Sequence, residues 1–338
     1  MIRKESALNK ILHPSFFVVG AQKAGTTALH HHLSRHPEVF LPSIKETHFF
    51  DDGHGEYDLD IDHYLEKYFS TDTIHMIAGE VDPEYLFFSE VAPRLAEHFP
   101  EAKLIFVFRD PVERAYSHYQ MSLGRGYERL GFIQAIEKEE MRMGYFPESV
   151  NSDEERVLYQ PSIDIETKRR QIFNHTAQSN FSYVGRGFYF RQVSRYLEFF
   201  PKDRMLFLLS DDLKSEAEQT LKKVYAFLGV GDIPYVPLPD EQTNQATLPK
   251  NESLQKFLLD DSPLKGWLKR LMPFGMRLVL RKRLQDFNVE PARLPAMDTE
   301  VRAHLRSFYR EDVEQLGKLI GRDLSAWLPK ASIGNDLG

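Results

Sequence analysis

Cysteine is absent from the 338 residues. No disulfide framework, thiolate nucleophile or cysteine-ligated zinc is therefore open to the chain, and a reducing compartment is permitted. Long apolar runs are missing as well. The first one, Phe16 to Val19, follows a short polar N-terminus and is far too brief for a signal peptide or a membrane span, so the expectation is a cytoplasmic protein without a transmembrane segment. Excess positive charge is also lacking. With 43 Lys and Arg against 50 Asp and Glu, the formal charge of −7 argues against a general nucleic-acid binder, although local basic patches remain open to it. Internal repeats and low-complexity linkers are not found, and 42% hydrophobic residues are enough for a large core, so disorder is not the default.

What is present is organised around residues 16–30, FFVVGAQKAGTTALH. Phe16 to Val19 read as a buried strand, and Gly20 and Gly25 bracket a turn into a helix starting near Thr26. A strand feeding such a loop and a helix N-terminus aims backbone N–H groups and the helix dipole at an anion. Gly25 admits a close backbone approach, Thr26 and Thr27 add hydroxyls, and Lys23 places a mobile positive charge at the tip. The spacing of the two glycines is that of an ATP-binding P-loop, GxxxxGK[ST]. The lysine, however, sits inside the loop, and Thr26 follows Gly25.

GAQKAGTTALHHHLSRHP resembles the 5′-phosphosulfate loop of sulfotransferases that use 3′-phosphoadenosine 5′-phosphosulfate (PAPS), whose motif centres on QK-x-GTT. The resemblance assigns Gln22, Lys23, Ala24, Gly25, Thr26 and Thr27 to the donor. It implies an α/β fold, a P-loop-like three-layer α/β/α arrangement around a central, mostly parallel sheet. Golgi enzymes of similar motif are membrane-anchored and bear cysteine, so this chain looks like a free-standing bacterial-type relative.

In SIKETHFFDD, the residues Lys45, Glu46, His48 and Asp51 crowd beside Phe49 and Phe50. By residue type alone a solvated salt-bridge cluster is the first reading; a carboxylate near buried aromatic surface with a raised pKa is the other. The segment is similar to KE-x-HFF of the heparan sulfate sulfotransferases, which makes Glu46 the catalytic base and places Lys45, His48 and Asp51 at the acceptor. The later VDPEYLF holds Asp82 and Tyr85 at a strand end, also assigned to the acceptor. Where heparan-type enzymes carry an acceptor-binding lysine in EK-x-P-x-Y, this chain has Val81. A sulfated polysaccharide acceptor is thereby disfavoured.

KLIFVFRDPVERAYSHYQ repeats the logic of the opening stretch: a buried strand over Leu104 to Phe108, Arg109 at its C-terminal end, then Asp110 and Pro111 opening a helix. Arg109 pairing with Asp110 or Glu113 is the plain reading of the arginine alone. The segment resembles the family's 3′-phosphate motif, which gives Arg109 and Ser117 to the nucleotide 3′-phosphate, chemistry that suits a forked guanidinium. Residues 121–186 read as helices and a mobile loop over the cleft that shapes acceptor choice, or as a solvated surface insertion. In GFYFRQVSRYLEFFP, Phe188, Val193, Tyr196, Leu197 and Phe200 share a helical face, and Tyr189 either meets the acceptor or packs in the core. MLFLL at 205–209 is a further strand, and a helix from about 215 to 228 closes at Gly229. Lys250 stands in for the nucleotide-closing loop that heparan-type enzymes have nearby. Eight Lys or Arg lie between Lys256 and Arg283. They form either a basic amphipathic segment meeting a membrane or a carrier protein, or a helical pair with solvated charges.

The expected organisation is one domain over 14–330, with terminal extensions at 1–13 and 331–338. The expected function is sulfuryl transfer from PAPS to an acceptor hydroxyl, small, lipid-like or carrier-bound, leaving adenosine 3′,5′-bisphosphate. No metal is expected, because the donor has no β,γ-phosphate pair to bridge and no clear acidic metal site is seen. Two other classes fit parts of the pattern: a P-loop kinase or NTPase, and a non-catalytic adaptor acting through 256–283.

Overall fold

The computed structural model describes residues 10–53, 55–58, 60–73, 75–143, 175, 177–238, 247–251, 254, 283–284, 287–291 and 296–329. Their strands are β1 (Lys10–Ile11), β2 (Pro14–Gly20), β3 (Val39–Phe40), β4 (Ser70–Thr71), β5 (Ile77–Val81), β6 (Lys103–Phe108), β7 (Met205–Leu209), β8 (Thr247–Pro249) and β9 (Val289–Pro291). Five of them form one sheet in the order β3-β5-β2-β6-β7, and every pairing in it is parallel. β1 with β4, and β8 with β9, make small antiparallel ribbons. The α/β fold with a parallel central sheet is thus as expected.

The sheet forms where the apolar runs lie. Phe16 to Val19 of β2 and Leu104 to Phe108 of β6 have no exposed surface, as befits central strands covered on both faces. Gly79 in β5 makes room for its neighbour: a Cβ there would lie 2.3 Å from the Phe16 ring. Helices α1 (Thr26–Leu33), α2 (Ile61–Tyr68), α3 (Val91–His98) and α4 (Pro111–Gly124) connect the strands. Asp110 caps α4 by accepting from the Val112 and Glu113 amides at 2.9 and 3.3 Å, with Pro111 in the first turn where its missing N–H costs nothing.

The Tyr189–Leu197 helix packs as its pattern requires, with Val193, Tyr196 and the following Phe200 buried. Its first turn is capped from far away: Asp312, on the closing Thr299–Ile320 helix, accepts from the Phe190 and Arg191 amides at 2.9 and 3.2 Å. The helix expected over about 215–228 runs Ala217–Leu228 and is closed by Gly229 in the left-handed region, and a short helix not expected, Ser210–Ser215, precedes it with Glu216 between them. No helix among the described residues is long and apolar enough to cross a membrane. The expected loop within 121–186 and the basic 256–283 segment lie largely outside the described residues.

Candidate active site

Three adjacent central strands deliver the site at the carboxyl end of the sheet. The cradle leaves β2, Asp82 follows β5, and Arg109 follows β6, all at carboxyl ends. From β2 the chain crosses to β3 on one side and from β6 to β7 on the other, so the strand order reverses between these two neighbours, which is where open α/β sheets bind ligands. In the cradle, Gly25 (φ 105°) precedes α1 and Lys23 (φ 68°) sits at the tip. Glu46 (φ 65°), His48 (φ 54°) and Asp52 (φ 57°) are the other non-glycine residues in the left-handed region among those described. Each such residue costs on the order of 1–3 kcal/mol, and all four border one cavity or the turn beside it.

That cavity, of about 390 Å³, is lined by Gln22, Lys23, Gly25, Thr26 and Thr27 of the cradle and by Glu46, His48, Glu84, Arg125 and His175 from other segments. Lys23 is lowered to about 8, by burial first and then by the Arg125 and Arg109 guanidinium groups. Three cations converging on a cradle of helix N–H groups make a pocket for a polyanion. Arg109 does so from behind, its Nη1 donating to the Lys23 carbonyl at 3.2 Å. A second cavity of about 310 Å³, between the end of α1 and the Ala217–Leu228 helix, carries none of the predicted site residues.

The raised pKa expected for Glu46 is not what its surroundings produce. Burial pushes the carboxyl up, but the Lys45 ammonium hydrogen-bonded to it, with His48 and Arg125, brings it below its ordinary value. Glu46 is therefore a standing carboxylate at neutral pH. His48 is the reverse case. Burial disfavours its charge, yet Asp82 and Asp51 outweigh that and raise it to about 11, making it an imidazolium. Its Nδ1 lies 3.0 Å from Asp51 Oδ2 and 3.7 Å from Asp82 Oδ2, while its backbone N–H donates to Asp82 at 3.0 Å.

His175 Nε2 approaches Asp51 Oδ2 at 3.3 Å, its ring stacked 4.3 Å from Phe88. His48, Asp51 and His175 thus bring three ligand-type atoms within 4.8 Å of one another, and His175 joins the other two from a stretch with no motif to announce it. His48 Nδ1 and Asp51 Oδ2 already pair with each other, and His175 Nε2 lies beside that pair without a hydrogen-bond partner of its own among the described residues.

Several predicted acceptor residues lie behind the cavity. Asp82 is fully buried and spent on the His48 and Glu84 amides. Tyr85 is equally buried, its hydroxyl donating to Glu80 at 3.1 Å. Tyr189 takes the core-packing alternative and donates to the Arg109 carbonyl at 3.0 Å. Lys250 does not reach the cavity: Nζ donates to the Phe287 carbonyl at 3.2 Å and lies over that ring, because β8 and β9 hold it there. Ser117 is half-buried on α4, outside the cavity lining. Arg125, Glu84, His175 and Ser179 face the cavity without having been foreseen. No spacing marks them: Glu84 sits inside VDPEYLF with no motif of its own, and Arg125, His175 and Ser179 lie in the 121–186 stretch, which is legible only as a whole.

Residues 13–245 match the family model described as the sulfotransferase domain. The chain belongs to this family. As a sulfotransferase-domain chain it is 27% identical over 298 residues to the membrane-associated sulfotransferase kil1 of Dictyostelium discoideum, covering 73% of this chain and 62% of that protein. It is 27% identical to the bifunctional heparan sulfate N-deacetylase/N-sulfotransferase 4 of Mus musculus, covering 93% of this chain and 31% of the relative. The chain therefore spans less than two thirds of either relative. Among solved structures, a sulfotransferase from Alicyclobacillus acidocaldarius superposes with a TM-score of 0.58 at 26% identity, covering 94% of this chain and 99% of that one.

Proposed function

We propose that this sulfotransferase-domain protein moves a sulfuryl group from PAPS to an acceptor hydroxyl, with Glu46 as general base. The observation that carries the reading is the facing pair in one cavity: Lys23, backed by Arg109 and Arg125, on one side and the Glu46 carboxylate on the other. PAPS supplies the activated sulfuryl group, and adenosine 3′,5′-bisphosphate leaves. Lys23, the α1 amides, Thr26 and Thr27 hold the 5′ end and offset negative charge there, while Arg109 and Ser117 serve the 3′-phosphate. Glu46 accepts the acceptor's proton, and the His48 imidazolium, fixed by Asp51 and Asp82, orients the acceptor beside it. A loose, in-line transfer asks the protein mainly for position and charge, so the reaction runs without a metal.

Val81, where a lysine would meet a polyanionic sugar, is buried in β5 against β2. With buried carboxylates behind Glu46, the acceptor end suits a small or carrier-bound alcohol rather than a polysulfated chain. The name of the mouse relative brings an amine acceptor into the same test. Calorimetry with adenosine 3′,5′-bisphosphate and with Mg·ATP separates this reading from a kinase: binding of ATP alone overturns it. A panel of alcohols and amines, incubated with PAPS and scored by mass spectrometry, then finds the acceptor by its sulfonate mass gain.

A further inference from the structure

The residues flanking Thr47 hold the left-handed conformation on both sides, and something must hold them there. The end of β5 does so amide by amide. Glu46 N–H donates to the Val81 carbonyl at 3.3 Å, Thr47 N–H to Glu80 Oε1 at 3.2 Å, and His48 N–H to Asp82 Oδ2 at 3.0 Å. Of these three partners, Glu80 has no place in the chemistry. Only 1% exposed, it lies outside the cavity lining.

Its carboxylate is fully used nonetheless. Besides the Thr47 amide, Oε1 accepts from Thr47 Oγ1 at 2.5 Å and Tyr85 OH at 3.1 Å, and Oε2 from Tyr64 OH at 2.5 Å. Burial and the neighbouring carboxylate keep both phenols protonated, so they stay donors. The network continues outward: Thr47 Oγ1 accepts from the Phe49 amide at 3.3 Å, and Tyr85 OH from the Phe50 amide at 3.4 Å. Every residue from Glu46 to Phe50 thus has its amide tied to β5, to the Glu80 network or to Asp82.

We propose that Glu80 is a positioning residue of the sulfuryl-transfer reaction, holding the Glu46–Phe50 turn in its strained shape through Thr47. The inference rests on the reading of Glu46 as the base. A buried carboxylate with four donors is costly unless all four are met, and here two of them come from Thr47, the one residue between the base and the imidazolium, while Tyr64 and Tyr85 supply the others. Removing it releases the strain stored at Glu46 and His48 and lets both leave the acceptor.

The test uses the full chain and three substitutions. Glu80→Ala is expected to lower kcat at least tenfold, with affinity for adenosine 3′,5′-bisphosphate changed less than threefold, because the cradle and Arg109 do not depend on it. Glu80→Gln keeps one carbonyl oxygen for both Thr47 donors and is expected to stay within about threefold of wild type. Thr47→Val removes one of the two Thr47 contacts and is expected to fall between them, with a non-additive double variant. Hydrogen exchange read without any acceptor is expected to show faster exchange over 46–50 in Glu80→Ala and not in Glu80→Gln. Full kcat or unchanged exchange in Glu80→Ala overturns the proposal, as does a Glu80→Gln variant as impaired as Glu80→Ala. If Glu46→Gln retains full turnover while the exchange result holds, the base assignment fails and the holding role of Glu80 stands as structural only.

Discussion

Arg109 Nη1 donates to the backbone carbonyl of Lys23 at 3.2 Å, so the end of β6 is tied to the tip of the cradle that follows β2. One guanidinium thereby supports the 5′ end of the proposed donor site while remaining next to the helix that carries Ser117. The two motifs proposed to bind the donor, far apart in sequence, are thus joined by a direct hydrogen bond.

Arg109→Lys is accordingly expected to fail as a conservative change. A lysine offers a point charge in place of a fork that serves a carbonyl and a phosphate together. Affinity for adenosine 3′,5′-bisphosphate is expected to drop about tenfold to a hundredfold, the scale of one or two lost charge-assisted hydrogen bonds. Adenosine 5′-monophosphate, lacking the 3′-phosphate, is expected to lose less. Calorimetry of both nucleotides on wild type and variant decides it, and equal losses would remove the 3′-phosphate assignment.

Glu46→Gln separates proton transfer from donor binding. The amide keeps the shape and loses the base, so kcat is expected to fall about 10²- to 10⁴-fold. Affinity for adenosine 3′,5′-bisphosphate is expected to hold or improve slightly, since one negative charge facing the anion site is gone. Steady-state kinetics paired with calorimetry gives the split.

Gly79→Ala probes the sheet beneath the site. A Cβ at that position meets the Phe16 ring at 2.3 Å in the most buried part of β2, so either the ring or the strand has to shift. Overpacking of this kind costs about 1–3 kcal/mol, to be read as a lower midpoint in urea unfolding at unchanged slope.

The parallel sheet and the cradle were legible because both are written locally. Phe16 to Val19 and Leu104 to Phe108 are apolar runs of strand length, each followed by a phosphate-type turn, and the Asp110–Pro111 start of α4 is a two-residue signal. The roles of Asp82 and Tyr85 were not legible, and for Tyr189 both readings stayed open, for a common reason. Residue type and strand-end position place a polar group near the site, but whether it faces the cavity or braces it from behind depends on register and on partners remote in sequence. Tyr189 finds the Arg109 carbonyl 80 residues away. His175 was hidden more completely, since its contact with Asp51 joins a charge-rich stretch to the HFFDD turn with no periodicity to announce it.

Lys23 sets the pH dependence of the donor site. Its pKa in the folded, ligand-free protein is about 8, below the ordinary 10.5, because burial and the Arg125 and Arg109 charges disfavour the ammonium while Glu46 offsets them only in part. The sign follows from linkage. Between these two values the unfolded chain holds the proton and the folded chain does not, so this lysine's contribution to the stability of the free protein improves as pH rises from 8 towards 10.5. A bound anion reverses the preference by favouring the ammonium. Phosphate groups complete their ionisation near pH 6 and the His48 imidazolium is held up to about 11, so just above pH 8 the lysine is the group that changes. Affinity for adenosine 3′,5′-bisphosphate is expected to be flat from about pH 7 to 8 and then to fall by up to tenfold per unit, the limit when only the ammonium binds. Proton uptake on binding, seen as a dependence of calorimetric heat on buffer ionisation enthalpy, is expected to grow over the same range. In Lys23→Met the affinity is expected to be lower at pH 7 and to lose the slope above pH 8, and a slope that persists in that variant would assign the titration to another group.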